Sequence, residues 1–214
     1  KSMLDRLVSQ RFKLSAYFTL NFLSVFFASY VSFRAVFFFS AYIFGIWLYS
    51  HKLKKVPFLG NFISATLAIA PFFAVFVYFK NFDTVIFVHA FFLFLLILAR
   101  EMIKDLENIA GDLAQNYKTI PILYGERTSK ISITVLIVMT LIPSLLLINN
   151  FDVGYMHYYF ILCIALFIVF LVLLWKSRTK FHYVWLHNIL KLIIVLGVFS
   201  ILLIDVDLVL NRIL

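Results

Sequence analysis

Residues 131–149 read ISITVLIVMTLIPSLLLIN, an apolar run that is continuous rather than alternating. About 20 apolar residues cross a hydrocarbon core as a helix, whereas a barrel strand needs period-two alternation over about 10 residues. The stretch therefore predicts a transmembrane helix. Six more runs read the same way: Leu14 to Phe33, Ala35 to Ser50, Pro57 to Phe79, Thr84 to Ala99, Tyr155 to Trp175 and Leu190 to Ile204. The second and fourth are shorter and are extended by their flanks. Composition agrees, with 64% hydrophobic and 14% charged residues, against about 25% charged in a soluble domain. The expected fold class is all-α, a polytopic transmembrane helical bundle of seven spans forming one membrane-embedded domain over residues 1–214.

Charge placement sets an expected orientation, because Lys and Arg near span ends accumulate on the cytoplasmic side. Lys1, Arg6, Arg11 and Lys13 precede the first span, and Lys52, Lys54 and Lys55 follow the second. Arg100, Lys104, Lys118, Arg127 and Lys130 follow the fourth, and Lys176, Arg178 and Lys180 follow the sixth. Only Arg34, Lys80 and Arg212 fall on the other side, with Lys191 at the start of span seven. The charged connections are expected in the cytoplasm of a bacterial or archaeal cell, and the net charge of +9 points to anionic lipid headgroups rather than nucleic acid. Cys163, the single cysteine, lies within span six and excludes an intrachain disulfide. The polar, basic opening without an apolar signal core reads as the start of a fragment.

Five of the ten acidic residues, Glu101, Asp105, Glu107, Asp112 and Glu126, fall between Arg100 and Lys130. Glu101, Asp105, Asn108 and Asp112 are spaced by four, three and four, which predicts one face of a helix. Carboxylates gathered at a membrane edge repel one another unless cations compensate them. Mg²⁺ suits such a place, since it takes one or two carboxylates plus substrate phosphates and keeps several waters. Arg100, Lys104 and Lys118 would supply countercharge to phosphate oxygens. The plainer reading of the segment is an amphipathic interfacial helix whose charges are solvated. Pro71 and Pro143, inside spans three and five, predict kinks. His182 and His187 read as sharing an interfacial loop, and Asp205, Asp207 and Arg212 as facing solvent beyond the last span.

The string REMIKDLENIAGDLAQNYKTIPILYG, residues 100–125, resembles the second aspartate-rich motif of the UbiA-type intramembrane prenyltransferases, above all the geranylgeranylglyceryl phosphate synthase-like branch. Arg100, Glu101, Asp105, Glu107, Gly111, Asp112, Lys118, Thr119, Pro121, Tyr124 and Gly125 carry it. YSHKLKKVPFLGN, from Tyr49, is similar to a Tyr/Lys loop of the family through Tyr49, Lys52, Lys54, Gly60 and Asn61. Asn108 stands where many relatives carry an Asp. The family has nine helices, so the seven spans would be helices three to nine, with helices one and two and a first NDxxDxxxD motif expected before Lys1.

The resemblance implies Mg²⁺-dependent transfer of a prenyl group from an allylic prenyl diphosphate to an acceptor in the membrane, either glycerol phosphate-type or a quinone or other aromatic precursor. It implies metal ligands Asp105, Asn108, Asp112 and Glu101, and catalytic roles for Asp105, Asp112 and Lys118. Arg100, Lys104, Lys52, Lys54, Tyr49 and Asn61 would bind the diphosphate. This fragment alone is expected to be inactive. Ring faces stabilise a carbocation by about 0.5–2 kcal/mol when desolvated, but most of the 27 Phe and 11 Tyr are expected to meet lipid or core. The competing reading is a noncatalytic or transporter-like polytopic protein. A transporter would place ionisable groups at mid-span, where this sequence has few polar side chains.

Overall fold

The computed structural model describes residues 9–204, so Lys1, Arg6, Asp205, Asp207 and Arg212 lie outside the described residues. In chain order the helices are α1 (Gln10–Val31), α2 (Phe33–His51), α3 (Leu59–Phe79), α4 (Thr84–Glu107), α5 (Ile109–Ala114), α6 (Ile120–Asn149), α7 (His157–Lys176) and α8 (Lys180–Ser200). Single 3₁₀ turns cover Leu53–Lys55, Gly154–Met156 and Ile201–Leu203. All but the short α5 are long and apolar enough to cross a membrane, which gives seven candidate spans among the described residues. The protein is a multi-pass, all-helical membrane protein.

The chain falls into two compact units, one ending at His51 and the other starting at Lys52. In the first, Ser9 caps α1 by accepting from the Phe12 amide at 3.2 Å. The extended Ser32 then separates the helices, and its hydroxyl accepts from the Ala35 amide at 3.1 Å. Ala28 is the one buried residue of α1, and Phe18, Phe22, Phe27, Tyr30, Phe33 and Phe37 are exposed. Rings left outward in this way match acyl chains rather than water.

In the second unit α4 is the central helix and packs against α3, α6 and α8. The core contains Leu96 and Ile103 from α4, Ile133 and Ile137 from α6, Phe160 and Phe167 from α7, and Leu186 and Leu190 from α8. Phe92 meets Phe160 edge-on, with centroids 5.3 Å apart at 88°. Lipid tails are as apolar as these side chains, so close packing rather than escape from water holds such helices together.

Four boundaries depart from the sequence reading. α4 continues through the charged residues to Glu107 instead of stopping at Ala99. The predicted single face through Asp112 is broken at Asn108, which has φ −114° and ψ 22° before α5 starts. α6 starts at Ile120 rather than Ile131, and its interruption is at Gly125, where φ is 84°. L side chains avoid that left-handed region. α8 starts at Lys180, so His182 and His187 lie on a helix and not in a loop. The three extensions share a cause, in that a helix continues past the hydrocarbon core while its ladder closes and one face stays buried. Pro71 and Pro143 sit inside helices that run on through them.

Candidate functional site

The last turn of α4 presents Asp105, and α5 presents Asp112 after the break at Asn108. From the start of α3, the buried Asn61 donates through Nδ2 to Asp105 Oδ2 at 2.8 Å. Asn108 donates through Nδ2 to Asp112 Oδ1 at 3.1 Å. The two carboxylates are near enough for their charges to repel. Burial pushes the Asp112 carboxyl above its ordinary range, against the Asn108 hydrogen bond and the Lys54 and Lys104 charges, which pull it down.

Gly111 makes the Asn108 contact possible. A Cβ there would stand 2.6 Å from Asn108 Oδ1 and 2.9 Å from Nδ2, closer than nonbonded atoms approach. The absent side chain lets the amide fold over the first turn of α5 onto Asp112.

Of Lys52 and Lys54, the two lysines that carry the Tyr/Lys resemblance, Lys54 is the one whose charge reaches Asp112. Its Nζ lies 4.8 Å from the centroid of the Tyr117 ring, and the Tyr117 amide in turn donates to the Asp112 backbone carbonyl at 2.9 Å. Lys52 and Lys118 are exposed on neighbouring connections, before the Leu53–Lys55 turn and before α6. Tyr49 belongs to α2 in the first unit.

Glu101 lies one helical turn before Asp105, and its charge also acts on it. It is buried, with Arg100 Nη2 donating to Oε1 at 2.6 Å and Lys104 Nζ and Ser64 Oγ donating to Oε2 at 3.0 and 3.2 Å. Expected as a metal ligand, it has both oxygens engaged instead, because a buried carboxylate is stable only when paired. Arg100 and Lys104, expected on a diphosphate, each hold this carboxylate. Among the described residues no three His, Cys, Asp or Glu side chains converge closely enough to hold a metal ion. Asp105 and Asp112 fit a smaller role. An amide takes one oxygen of each, and the second oxygen of each would be available to Mg²⁺, which takes one or two carboxylates along with substrate phosphates.

Two polar contacts escaped the sequence reading. His187 of α8 donates through Nδ1 to Glu107 Oε2 at 2.8 Å. At the start of α6, the buried Lys130 donates to Glu126 Oε1 at 2.8 Å and to the Ser177 carbonyl at 2.6 Å, and Tyr183 donates to the same Glu126 oxygen at 2.5 Å. Glu126 and Lys130 stand at a spacing that pairs on a helix, which was a readable signal. The His187 partner, 80 residues away, had none.

Seven candidate spans with a carboxylate pair, two amides and nearby lysines at the end of the central helix define a multi-pass membrane protein with its charged cluster at one helix end. The pattern of the UbiA prenyltransferase family matches residues 3–192, and the chain belongs to that family. It is 37% identical over 174 residues to a digeranylgeranylglyceryl phosphate synthase of Thermococcus sibiricus, covering 77% of this chain and 61% of the relative. A second such synthase, from Methanobrevibacter smithii, is 34% identical over 117 residues, covering 52% of this chain and 41% of the relative. A solved structure concerned with digeranylgeranylglyceryl phosphate synthase in membranes superposes with a TM-score of 0.68 at 26% identity, covering 88% of this chain and 67% of that one. The chain thus spans about half the length of the curated relatives it matches.

Proposed function

We propose that the protein transfers a prenyl group, within the membrane, from an allylic prenyl diphosphate to a glyceryl phosphate acceptor, and that residues 1–214 belong to one prenyltransferase domain. The observation that carries this reading is the pair Asp105 and Asp112, held by Asn61 and Asn108 beside Lys54, in a chain whose relatives are named for a glyceryl phosphate product. Those names favour a geranylgeranyl donor and an ether product over a quinone or other aromatic acceptor.

Asp105 and Asp112, with Asn108 as a neutral neighbour, would hold Mg²⁺ against the diphosphate. The ion supplies neutralisation of charge on the departing diphosphate. Lys54 lies on the same side and would take a phosphate oxygen directly, with Lys118 and Lys52 as further contacts. In the reaction the allylic C1–O bond breaks and its electrons leave with the diphosphate oxygen. The acceptor hydroxyl oxygen forms the new bond to C1 and releases its proton. Positioned cations stabilise the leaving group more strongly in a water-poor site than in bulk water. The charged connections, and the diphosphate site with them, would face the cytoplasm.

The test is transfer from labelled geranylgeranyl diphosphate by the full natural chain in membranes, offered a glyceryl phosphate ether and an aromatic acceptor in parallel. The expected result is label in the ether, lost on chelation and restored by Mg²⁺. Transfer to the aromatic acceptor alone would overturn the acceptor assignment. Transfer that survives chelation would overturn the metal role. No transfer to either acceptor would favour a noncatalytic protein.

A further inference from the structure

The end of α4 is the most consequential short stretch in the second unit, because the helix stops at Glu107 while Asp105 and Asp112 lie on either side of the break. A break at that point frees both carboxylates to swing unless something fixes the last turn. From α3, Asn61 holds Asp105. Glu107 is two residues further on, about 200° around the helix at 3.6 residues per turn, so it faces away from Asp105. There it meets His187 of α8 at 2.8 Å, with side-chain exposures of 25% for Glu107 and 12% for His187. The last turn of α4 is thereby tied on both sides, to α3 and to α8.

We infer that His187 and Glu107 form a positioning pair that fixes the α4 break so that Asp105 and Asp112 share one cation. The inference rests on the reading of that pair as a metal-bearing diphosphate site. Neither residue touches the cation or substrate in this arrangement. His187 Nδ1–H donates and Glu107 Oε2 accepts, so the pair acts as a strut whose removal leaves the carboxylates in place chemically but not geometrically. A two-carboxylate Mg²⁺ site has few protein ligands to absorb such misplacement, and small displacements of positioned groups reduce rates steeply. Asn in place of His187 carries an amide N–H near the position of Nδ1 and can keep the hydrogen bond. Alanine cannot.

The test uses the full natural chain in nanodiscs, with Mn²⁺ as the spectroscopic probe and its affinity read by electron paramagnetic resonance. His187→Ala and Glu107→Ala are each expected to weaken Mn²⁺ binding about tenfold. The double variant should be no weaker than either single one, since both remove one contact, and His187→Asn should return the affinity to within about threefold. Lys130→Met breaks a buried contact elsewhere in the same unit and serves as the control for general loosening. It is expected to lower the melting temperature while leaving Mn²⁺ affinity unchanged.

Binding that is lost in Asp112→Asn but indifferent to His187→Ala would overturn the positioning inference alone. Losses that add in the double variant, or an equal loss in Lys130→Met, would overturn it too. Binding that ignores Asp112→Asn would overturn the metal-site reading and this inference with it.

Discussion

Two polar clusters at opposite ends of the charged segment differ in how completely their charges are answered. Around Glu126, the carboxylate receives Lys130 and Tyr183, and the lysine also reaches the Ser177 carbonyl. Opposite charges and donors close on one another, tying α6 to α8 and to the end of α7. Around Asp105 and Asp112, two like charges stand together and each receives a single amide from Asn61 or Asn108. The first arrangement is complete without a ligand. The second holds two partly buried carboxylates near one another, an arrangement that an added cation would relieve. Glu101, buried with Arg100, Lys104 and Ser64 around it, belongs with the first even though it lies four residues from Asp105.

The comparison breaks most sharply by removing charge from the open cluster. Asp105→Asn in the full natural chain is expected to reduce kcat/KM for prenyl transfer about 100-fold or more, in the range seen when a transition-state stabilising group is lost. A loss below about threefold would move Asp105 out of the site. Next in size, Lys54→Met is expected to lower kcat/KM for the prenyl diphosphate about 10- to 100-fold, the worth of a charge-assisted contact of about 1.5–3 kcal/mol. Lys52→Met should stay within about threefold. Equal losses for both lysines would show that the Tyr117 stacking of Lys54 does not select it.

The closed cluster should respond in stability instead. Lys130→Met leaves Glu126 with one donor and the Ser177 carbonyl with only a long contact to Tyr183. Glu126 is 42% exposed on its side chain, so water recovers part of the loss, and the expected destabilisation is about 1–2 kcal/mol. Thermal unfolding in a defined detergent reads it.

The smallest effect concerns Asp112 without metal. Burial holds its carboxyl above the ordinary range in the folded chain, whereas the unfolded chain ionises at the ordinary value. Folding stability therefore falls as pH rises from the ordinary carboxylate range through the raised value. Asp112→Asn removes that penalty, so the metal-free variant should melt slightly above the parent at neutral pH. The two should converge below the ordinary carboxylate range. Melting temperatures measured against pH with a chelator present decide it, and a difference that grows on acidification would contradict the assignment.

The seven spans were legible because a bilayer demands long apolar runs, and no other feature of the sequence competes with them. Their ends were less so. Residues 100–107 and 180–190 are polar enough to read as connections, yet they extend α4 and α8 beyond the apolar runs. Asp105 and Asp112 could be picked out from spacing and from the resemblance, but the break between them could not. Asn108 is a weak stop signal with no proline beside it, and no local pattern announces the contact it makes with Asp112 over Gly111. The partners that distinguish the two clusters, Asn61 for Asp105 and Tyr183 for Glu126, lie 44 and 57 residues away. Local pattern carries no information about pairs so distant.

The most direct test sets the two clusters side by side in one assay. Prenyl transfer per folded molecule is measured for Asp112→Ala and Lys130→Met in the full natural chain, with folded protein quantified in each membrane preparation. Asp112→Ala is expected to lose at least about 100-fold while remaining folded, and Lys130→Met to keep turnover per folded molecule within about threefold of the parent. Undiminished transfer by Asp112→Ala would contradict the role given to that carboxylate.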